Sequence, residues 1–353
     1  MKLRIAQVAP LWTPIPPRTY GGIELLLKLL TDELVKRGQD VTLFASGDCS
    51  TRGRLHSVVE TNLNDLLVKG AGYCYGYYTN SMLAEVTRMQ AEFDFIHFHC
   101  STAWLPAAAN LRTPGLFTMH TFPHHDDEWV FRRWPKVAVN GISNFQMRGM
   151  ELKLGRKFPT VYNGCDFDAY EPRYEPGHYL AFLGRFSEAK NPLGAIRIAQ
   201  ACNLPIVLAG QPQNGAETQY FEAQIKPLID GDRVRWIGPA NLPQKVMLLR
   251  HAAALLFPIQ WDEPFGLVMI EAMACGTPVV AHRRGSVGEV VDQGVTGFHS
   301  ASMDALPDLV GDVLKLDRRE VRRHAESRFG FRAMVDQYEA LYRSIINPNA
   351  KTA

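Results

Sequence analysis

Glu263 and Glu271 bracket the segment Glu-Pro-Phe-Gly-Leu-Val-Met-Ile-Glu, and these two acids are placed where they could do chemistry. An apolar run over 252–258 reads as a buried strand leading into the first acid. Pro264, Phe265 and Gly266 then make a turn, and 267–274 reads as a helix closed by Gly276 and Pro278. One carboxylate therefore lies on a loop at the carboxyl end of a strand, and the other lies just inside the next helix. A helix start has unpaired N–H groups and positive dipole character, which suit a phosphate. Two carboxylates nearby can accept hydrogen bonds from hydroxyls, so the segment fits a sugar joined to phosphates. A buried strand–helix unit with two solvated acids is the reading without chemistry.

A second segment carries the cations. A strand over 179–183 ends at Gly184-Arg185, and Lys190 follows on the same loop. Arg offers a planar fork and Lys a point charge, so the two can clamp a diphosphate. Ordinary surface charges would look the same in isolation. It is the pair of segments, in this order, that points to a sugar joined to a diphosphate.

With both segments in place, the chain resembles the retaining glycosyltransferases of family 4. The resemblance runs through Tyr20-Gly21-Gly22-Ile23-Glu24, the strand 93–99 with His97 and His99, Thr118-Met119-His120-Thr121 and Gly141-Ile142-Ser143. It continues through Tyr162-Asn163-Gly164-Cys165-Asp166, Gly184-Arg185 with Lys190, and the Glu263/Glu271 pair. The resemblance implies the GT-B architecture, an α/β fold of two Rossmann-like, doubly wound parallel-sheet domains facing across a cleft. By the same resemblance Arg185 and Lys190 neutralise a diphosphate, Glu263 meets donor-sugar hydroxyls, and Glu271 meets the ribose. Backbone at Pro264, Phe265, Gly266 and Leu267 then lies against sugar and phosphate, with Gly21, Gly22, Asn163 and Gly184 also lining the donor. His120 is expected to touch the donor sugar near the reacting carbon. Arg185, Lys190, Glu263 and His120 are the expected catalytic set, with no metal.

The implied activity is transfer of a hexose, of glucose or mannose type, from a nucleoside-diphosphate sugar to a hydroxyl acceptor. A UDP-sugar is expected over a GDP-sugar, and the acceptor is a small molecule, glycan or glycolipid. Retention through a covalent intermediate would need two carboxyl groups about 5–5.5 Å apart. Only Glu263 lies near the sugar, so same-face substitution is expected. Glycogen synthases carry a Lys just before the early glycine pair; here Arg18-Thr19-Tyr20 precede it, against an ADP-glucose polymerase. A sugar-nucleotide epimerase and a non-catalytic sugar-nucleotide sensor remain alternatives. A dinucleotide oxidoreductase does not fit, since no Gly-x-Gly-x-x-Gly follows the first strand.

The elements that must position these residues alternate along the chain. In the first half strands are expected near 3–8, 41–45, 93–99, 115–119, 136–142 and 160–162, with a helix over 22–37 ended by Gly38. In the second half they fall at 179–183, 206–209, 234–237, 255–257 and 278–281. Such alternation argues for parallel sheets with ligands beyond the strands' carboxyl ends. The expected domains are 1–170 and 176–330, joined by a linker over 171–177. A last amphipathic helix, Met334-Val335-Tyr338-Leu341-Tyr342-Ile345, lies within 331–353 and packs back on the first domain if the resemblance holds.

A length of 353 residues suits two domains, and 46% hydrophobic residues fill two cores. A formal net charge of +2 marks no nucleic-acid binder. No apolar run is long enough to span a membrane, though peripheral contact stays open. Six cysteines without metal or redox spacing suggest a reduced, cytoplasmic protein. His124-His125-Asp126-Asp127 reads as a loop, Asp166-Phe167-Asp168 as a turn, and the Tyr/Gly-rich stretch 70–78 as core packing. His99 is expected to reach the cleft and His97 to be structural.

Overall fold

Strands of three to six residues, the central ones apolar, alternate with helices and build two parallel sheets. The computed structural model describes residues 2–18 and 21–348. Thr19 and Tyr20 of the early glycine segment, and 349–353 at the end of the expected last segment, lie outside the described residues. The first sheet holds β1 (Arg4–Val8), β2 (Asp40–Phe44), β3 (Arg54–His56), β4 (Phe95–Phe98), β5 (Gly115–Thr118) and β6 (Ala138–Asn140), in the order β3-β2-β1-β4-β5-β6. The second holds β7 (Tyr179–Leu183), β8 (Ile206–Ala209), β9 (Val234–Trp236), β10 (Ala252–Phe257), β11 (Val279–His282) and β12 (Gly297–Ser300), in the order β12-β11-β10-β7-β8-β9. Every pairing is parallel. In each sheet the winding reverses between two central neighbours, β1/β4 and β7/β10. Beyond the carboxyl ends of such neighbours lies the usual ligand position of doubly wound sheets.

The chain forms two compact units, Met1–Gly164 with Phe331–Ala353, and Cys165–Gly330. The boundary at 164/165 precedes the sequence-read end at 170. Nor is 171–177 a free linker. Arg173 N–H donates to the Cys275 carbonyl at 3.1 Å, and Arg318 Nε donates to the Arg173 carbonyl at 2.8 Å.

In the first unit, the helix Gly22–Lys36 buries Leu26, Leu27, Leu30 and Leu34, and Gly38 follows it at φ +88°. The last helix, Phe331–Ile346, buries Met334, Val335, Tyr338 and Tyr342 in this unit. It is tied there by Arg37 Nη1 on Glu339 at 2.9 Å and by Gln39 Nε2 on Glu339 at 2.8 Å. Residues 160–162 are not a strand but meet the sheet in one bridge, Gly141 to Thr160. The edge strands β3 and β12 go unread in the sequence, because a short edge strand with half-exposed residues has no apolar run to announce it.

Candidate functional site

The second unit gathers the acids and cations at its reversal point. Arg185 follows β7 and Glu263 follows β10, the two neighbours between which the winding turns. Asn191 draws the loops together. It caps the helix Pro192–Ala201 from a left-handed conformation, φ 57°, accepting from Gly194 N–H at 2.9 Å. Its Nδ2 donates to the Pro258 carbonyl at 2.9 Å, and Gln260 N–H donates to the Ala189 carbonyl at 2.8 Å. The loop after β7 is thus fastened to the end of β10, which puts Lys190 against Glu263. Lys190 Nζ donates to Glu263 Oε2, and the same oxygen accepts from Trp261 Nε1 at 2.9 Å. Lys190 Nζ also stands 5.0 Å from the centre of the Trp261 ring.

Arg185 is held separately. Its Nε lies 3.1 Å from Glu217 Oε1, while its side chain stays 41% exposed. Glu217 is anchored in turn, its Oε2 accepting from Gln213 N–H at 2.8 Å. Beyond Glu263 the chain turns through Pro264 and buried Phe265 to Gly266, which begins the helix Leu267–Ala274 at φ +83°. That left-handed backbone is open to glycine with little strain. Gly285 backs the loop, where a Cβ would fall 2.2 Å from Glu263 N. Ser286 N–H donates to the Glu263 carbonyl at 2.9 Å, and Ser286 Oγ donates to the Phe265 carbonyl at 2.8 Å.

Glu271 has its own partners. Lys245 Nζ donates to its Oε1 at 2.5 Å, and Tyr170 OH donates to the same oxygen at 2.7 Å. Burial works against the Lys245 charge, but the Glu271 carboxylate outweighs it and raises the ammonium above its ordinary pKa. Burial, with the Glu271 charge second, pushes the Tyr170 phenol far above its ordinary range.

Gly184 directly follows β7 in the second unit, its N–H donating to the Ala209 carbonyl at 3.1 Å, and the other expected residues belong to the first unit. Gly21 precedes the helix Gly22–Lys36 without a side-chain cap, and Asn163 is buried. A Cβ on Gly21 would lie 2.6 Å from Pro17 Cβ and 2.8 Å from Glu24 Oε2, so local packing alone already demands glycine. Glu24 is buried, which raises its carboxyl pKa. His120 follows β5 and is joined to His99, His120 Nε2 lying 3.0 Å from His99 Nδ1. His99 Nε2 lies 2.9 Å from Gln7 Oε1, and Gln7 Nε2 donates to Tyr342 OH at 3.1 Å. His97 bridges Tyr342 OH and Thr118 Oγ1, each at 2.7 Å. Burial holds all three imidazoles below the ordinary histidine pKa, His120 at about 4.

Three sequence expectations are corrected. His124 is not in a loop. It caps the helix His125–Arg133, and Asp127 closes a reciprocal capping box by accepting from His124 N–H at 2.9 Å. The stretch 70–78 is not mainly core: Tyr73, Tyr75 and Tyr77 are exposed, and Tyr75 lies 5.4 Å from the exposed Trp12 ring. Helix placement decides this, since Tyr75–Met89 buries only Met82 and Val86. His99 is buried within the histidine network, with only His120 partly open. Asp166-Phe167-Asp168 leads into a short 3-10 turn, Phe167–Ala169. Among the described residues no three His, Cys, Asp or Glu are grouped to hold a metal ion, and no helix is long and apolar enough to cross a membrane.

Sequence reasoning missed Asn191, Glu217, Tyr170, Lys245, Trp261 and Gly285. The Lys-Asn-Pro run at 190–192 is a readable N-cap signal, and Asn214 with Glu217 is a readable helix start. Nothing local marks Lys245 or Tyr170, which reach Glu271 from other elements.

Two family models match the chain. One is described as glycosyltransferase family 4 and covers residues 20–167; the other, glycosyl transferases group 1, covers residues 167–328. The D-inositol 3-phosphate glycosyltransferase of Mycolicibacterium gilvum is 34% identical, over 90% of this chain and 80% of its own. AviGT4, a glycosyltransferase involved in avilamycin A biosynthesis, superposes with a TM-score of 0.72 at 26% identity, covering 98% of each chain. Anabaena HepE in complex with UDP and glucose shares the fold at a TM-score of 0.74 and 18% identity, covering 97% of this chain and 100% of its own.

Proposed function

The chain belongs to glycosyltransferase family 4, and from that premise we propose that it moves a hexose of glucose or mannose type from a UDP-sugar to a hydroxyl acceptor, with retention of configuration. The observation that carries the donor reading is the Lys190–Glu263 pair at the reversal point of the second sheet, with the start of the helix Leu267–Ala274 beside it. A diphosphate brings oxygens that Lys190 and Arg185 can take over from Glu263 and Glu217. Glu263, once released, accepts hydrogen bonds from sugar hydroxyls. Glu271 uses one oxygen for Lys245 and Tyr170, and its Oε2 is the atom assigned to the ribose. Phe265, Gly266 and Leu267 present backbone to sugar and phosphate, and Gly184 completes the donor residues of the second unit. UDP is favoured because a relative of the same fold holds UDP and glucose.

Charge on the leaving phosphate grows as the glycosidic bond breaks, so fixed cations there lower the barrier rather than only tightening binding. Glu263 is engaged by Lys190 and Trp261, an arrangement suited to holding hydroxyls rather than to nucleophilic attack. The acceptor hydroxyl then attacks from the leaving-group face and passes its proton to the departing phosphate oxygen. The exposed faces of Trp12, Tyr73, Tyr75 and Tyr77 support a ring-shaped, hydroxylated acceptor, since sugar rings stack on aromatic faces. Thermal shift with UDP- and GDP-sugars tests the donor, with the largest stabilisation expected from a UDP-hexose. Proton NMR of the first-formed product tests the stereochemistry; an inverted anomeric coupling would overturn retention.

A further inference from the structure

The histidine network of the first unit has a direction, and its fixed end is a backbone carbonyl. The Gly141 oxygen can only accept, and Asn140 Nδ2 donates to it at 3.0 Å. Asn140 Oδ1 is therefore the acceptor for Thr118 O–H at 2.7 Å. Having given its one proton, Thr118 Oγ1 can only accept, so the proton between it and His97 sits on His97 Nε2. His97 is neutral, which leaves a lone pair on Nδ1 for Tyr342 O–H. The Tyr342 oxygen then accepts from Gln7 Nε2, and this turns Gln7 Oε1 toward His99. His99 must donate from Nε2, so its Nδ1 is a lone pair. That lone pair, 3.0 Å away, takes the proton of His120 Nε2. His99 Nε2 also lies 3.1 Å from His97 Nδ1, a longer contact to the lone pair that Tyr342 O–H already fills, with no two donors or two acceptors left facing across it. Reversing the order would turn Asn140 Oδ1 against the Gly141 carbonyl, two acceptors face to face.

We propose that this chain of hydrogen bonds fixes His120 as the Nε2–H tautomer, so that it meets substrate through an unprotonated Nδ1 and recognises a hydroxyl rather than a phosphate oxygen. Gln7 and Tyr342 act as positioning residues, and Tyr342 carries the last helix into the site's chemistry. Among the described residues His120 Nδ1 has no hydrogen-bond partner, and the side chain is partly open. An imidazole N–H at that point would donate to an anionic oxygen; a lone pair repels such an oxygen and accepts from O–H. The hydroxyl-bearing ligand rests on the glycosyltransferase reading, but the tautomer does not.

Histidine ring nitrogen-15 NMR of the full chain at neutral pH tests the tautomer, with His120 assigned by loss of its signals in His120→Gln. The expected spectrum shows a protonated Nε2 and a bare Nδ1. A protonated Nδ1, or an imidazolium, overturns the proposal. Gln7→Leu removes the nearer acceptor of His99, leaving only the His97 lone pair that Tyr342 O–H already fills, and should give mixed His120 tautomers and about a tenfold fall in kcat/KM, the scale of one hydrogen bond. Should Gln7→Leu not fold, the wild-type spectrum still decides the tautomer. A single unchanged tautomer in a folded Gln7→Leu protein would sink the relay. Wild-type inactivity on every nucleotide sugar, with the tautomer as expected, would instead sink the functional reading alone.

Discussion

In the first unit a run of hydrogen bonds passes from Gly141 to His120 without a charged group among its members. The second unit instead stores its polar groups as ion pairs, Lys190 on Glu263, Lys245 on Glu271 and Arg185 on Glu217. The difference lies in what each arrangement can give up. A neutral chain has direction, so changing one member changes which atom carries the proton at the far end. An ion pair has no such memory. Its cation is already oriented and partly desolvated, and an arriving diphosphate exchanges one anion for another. This makes the second unit suited to binding and releasing charge, and the first to presenting a fixed hydrogen-bond pattern.

The comparison breaks most readily at Lys190. Lys190→Ala removes the cation proposed to act on leaving-group charge and strands Glu263, so turnover should fall about 100-fold, as for loss of a transition-state charge stabiliser. Arg185 is more exposed and more screened, and Arg185→Ala should cost at least ~10-fold. Steady-state kinetics with one donor and acceptor pair would check both. If both variants stay within twofold of wild type, the ion pairs of the second unit have no part in the reaction.

The two acids should separate in the next largest effect. Glu271→Ala removes the acceptor assigned to the ribose and should weaken bare nucleoside diphosphate by about 1.5–3 kcal/mol, the range for hydrogen bonds to a charged group. Glu263→Ala removes the competitor for Lys190, so bare nucleotide should bind at least as tightly as to wild type while transfer collapses. Calorimetry with nucleotide and nucleotide-sugar reads both. Equal losses of bare-nucleotide affinity would show that the two pairs are one site with one role.

How far the sequence disclosed these arrangements follows from the same contrast. The central strands, the helix Gly22–Lys36 and the helix Leu267–Ala274 announce themselves by apolar runs, periodicity and glycine stops. Glu263 and Lys190 could be found because each sits at the end of such a run. Their pairing could not, since it depends on Asn191 fastening one loop to another. Lys245 and Tyr170 stand 26 and 101 residues before Glu271, and no local pattern links them. His97 and His99 were legible as sharing a face of β4, but the direction of their hydrogen bonds is decided at Asn140 and Gly141, on β6 and just beyond it. The Tyr-rich stretch was misread because composition cannot say which helix face meets the core.

Acid should unsettle the first unit before it disturbs the second. His97, His99 and His120 are held neutral by burial, so their folded pKa values lie below the ordinary 6.5, that of His120 at about 4. Between those limits the unfolded chain binds protons that the native network refuses. Stability is therefore fully present above pH 6.5 and falls as pH drops toward 4. One such group contributes a slope of about 1.4 kcal/mol per pH unit, and the network should show at least that much. Melting temperatures from pH 7.5 to 5 would measure it, with His97→Asn flattening the slope. A pH-independent melting temperature over that range would mean the imidazoles are not held neutral by folding.

The smallest expected effect is that of a chelator, and it sharpens the comparison because the two kinds of charge handling exclude each other. A divalent cation on the diphosphate would need carboxylates to hold it, but Glu263 and Glu271 are each occupied by a lysine. It would also be placed beside Lys190 and repelled by it. The other acid-rich candidate, His124 to Asp127, is committed to starting a helix, with Asp127 bonded to His124 N–H and to Thr102. Initial rates in excess EDTA should therefore match those in added magnesium or manganese, and magnesium should not restore Lys190→Ala. A rate abolished by EDTA and recovered with either metal would mean that Glu263 exchanges Lys190 for a metal ion during turnover. The ion pairs of the second unit would then be a resting arrangement rather than the working clamp, while the neutral relay of the first unit would be untouched.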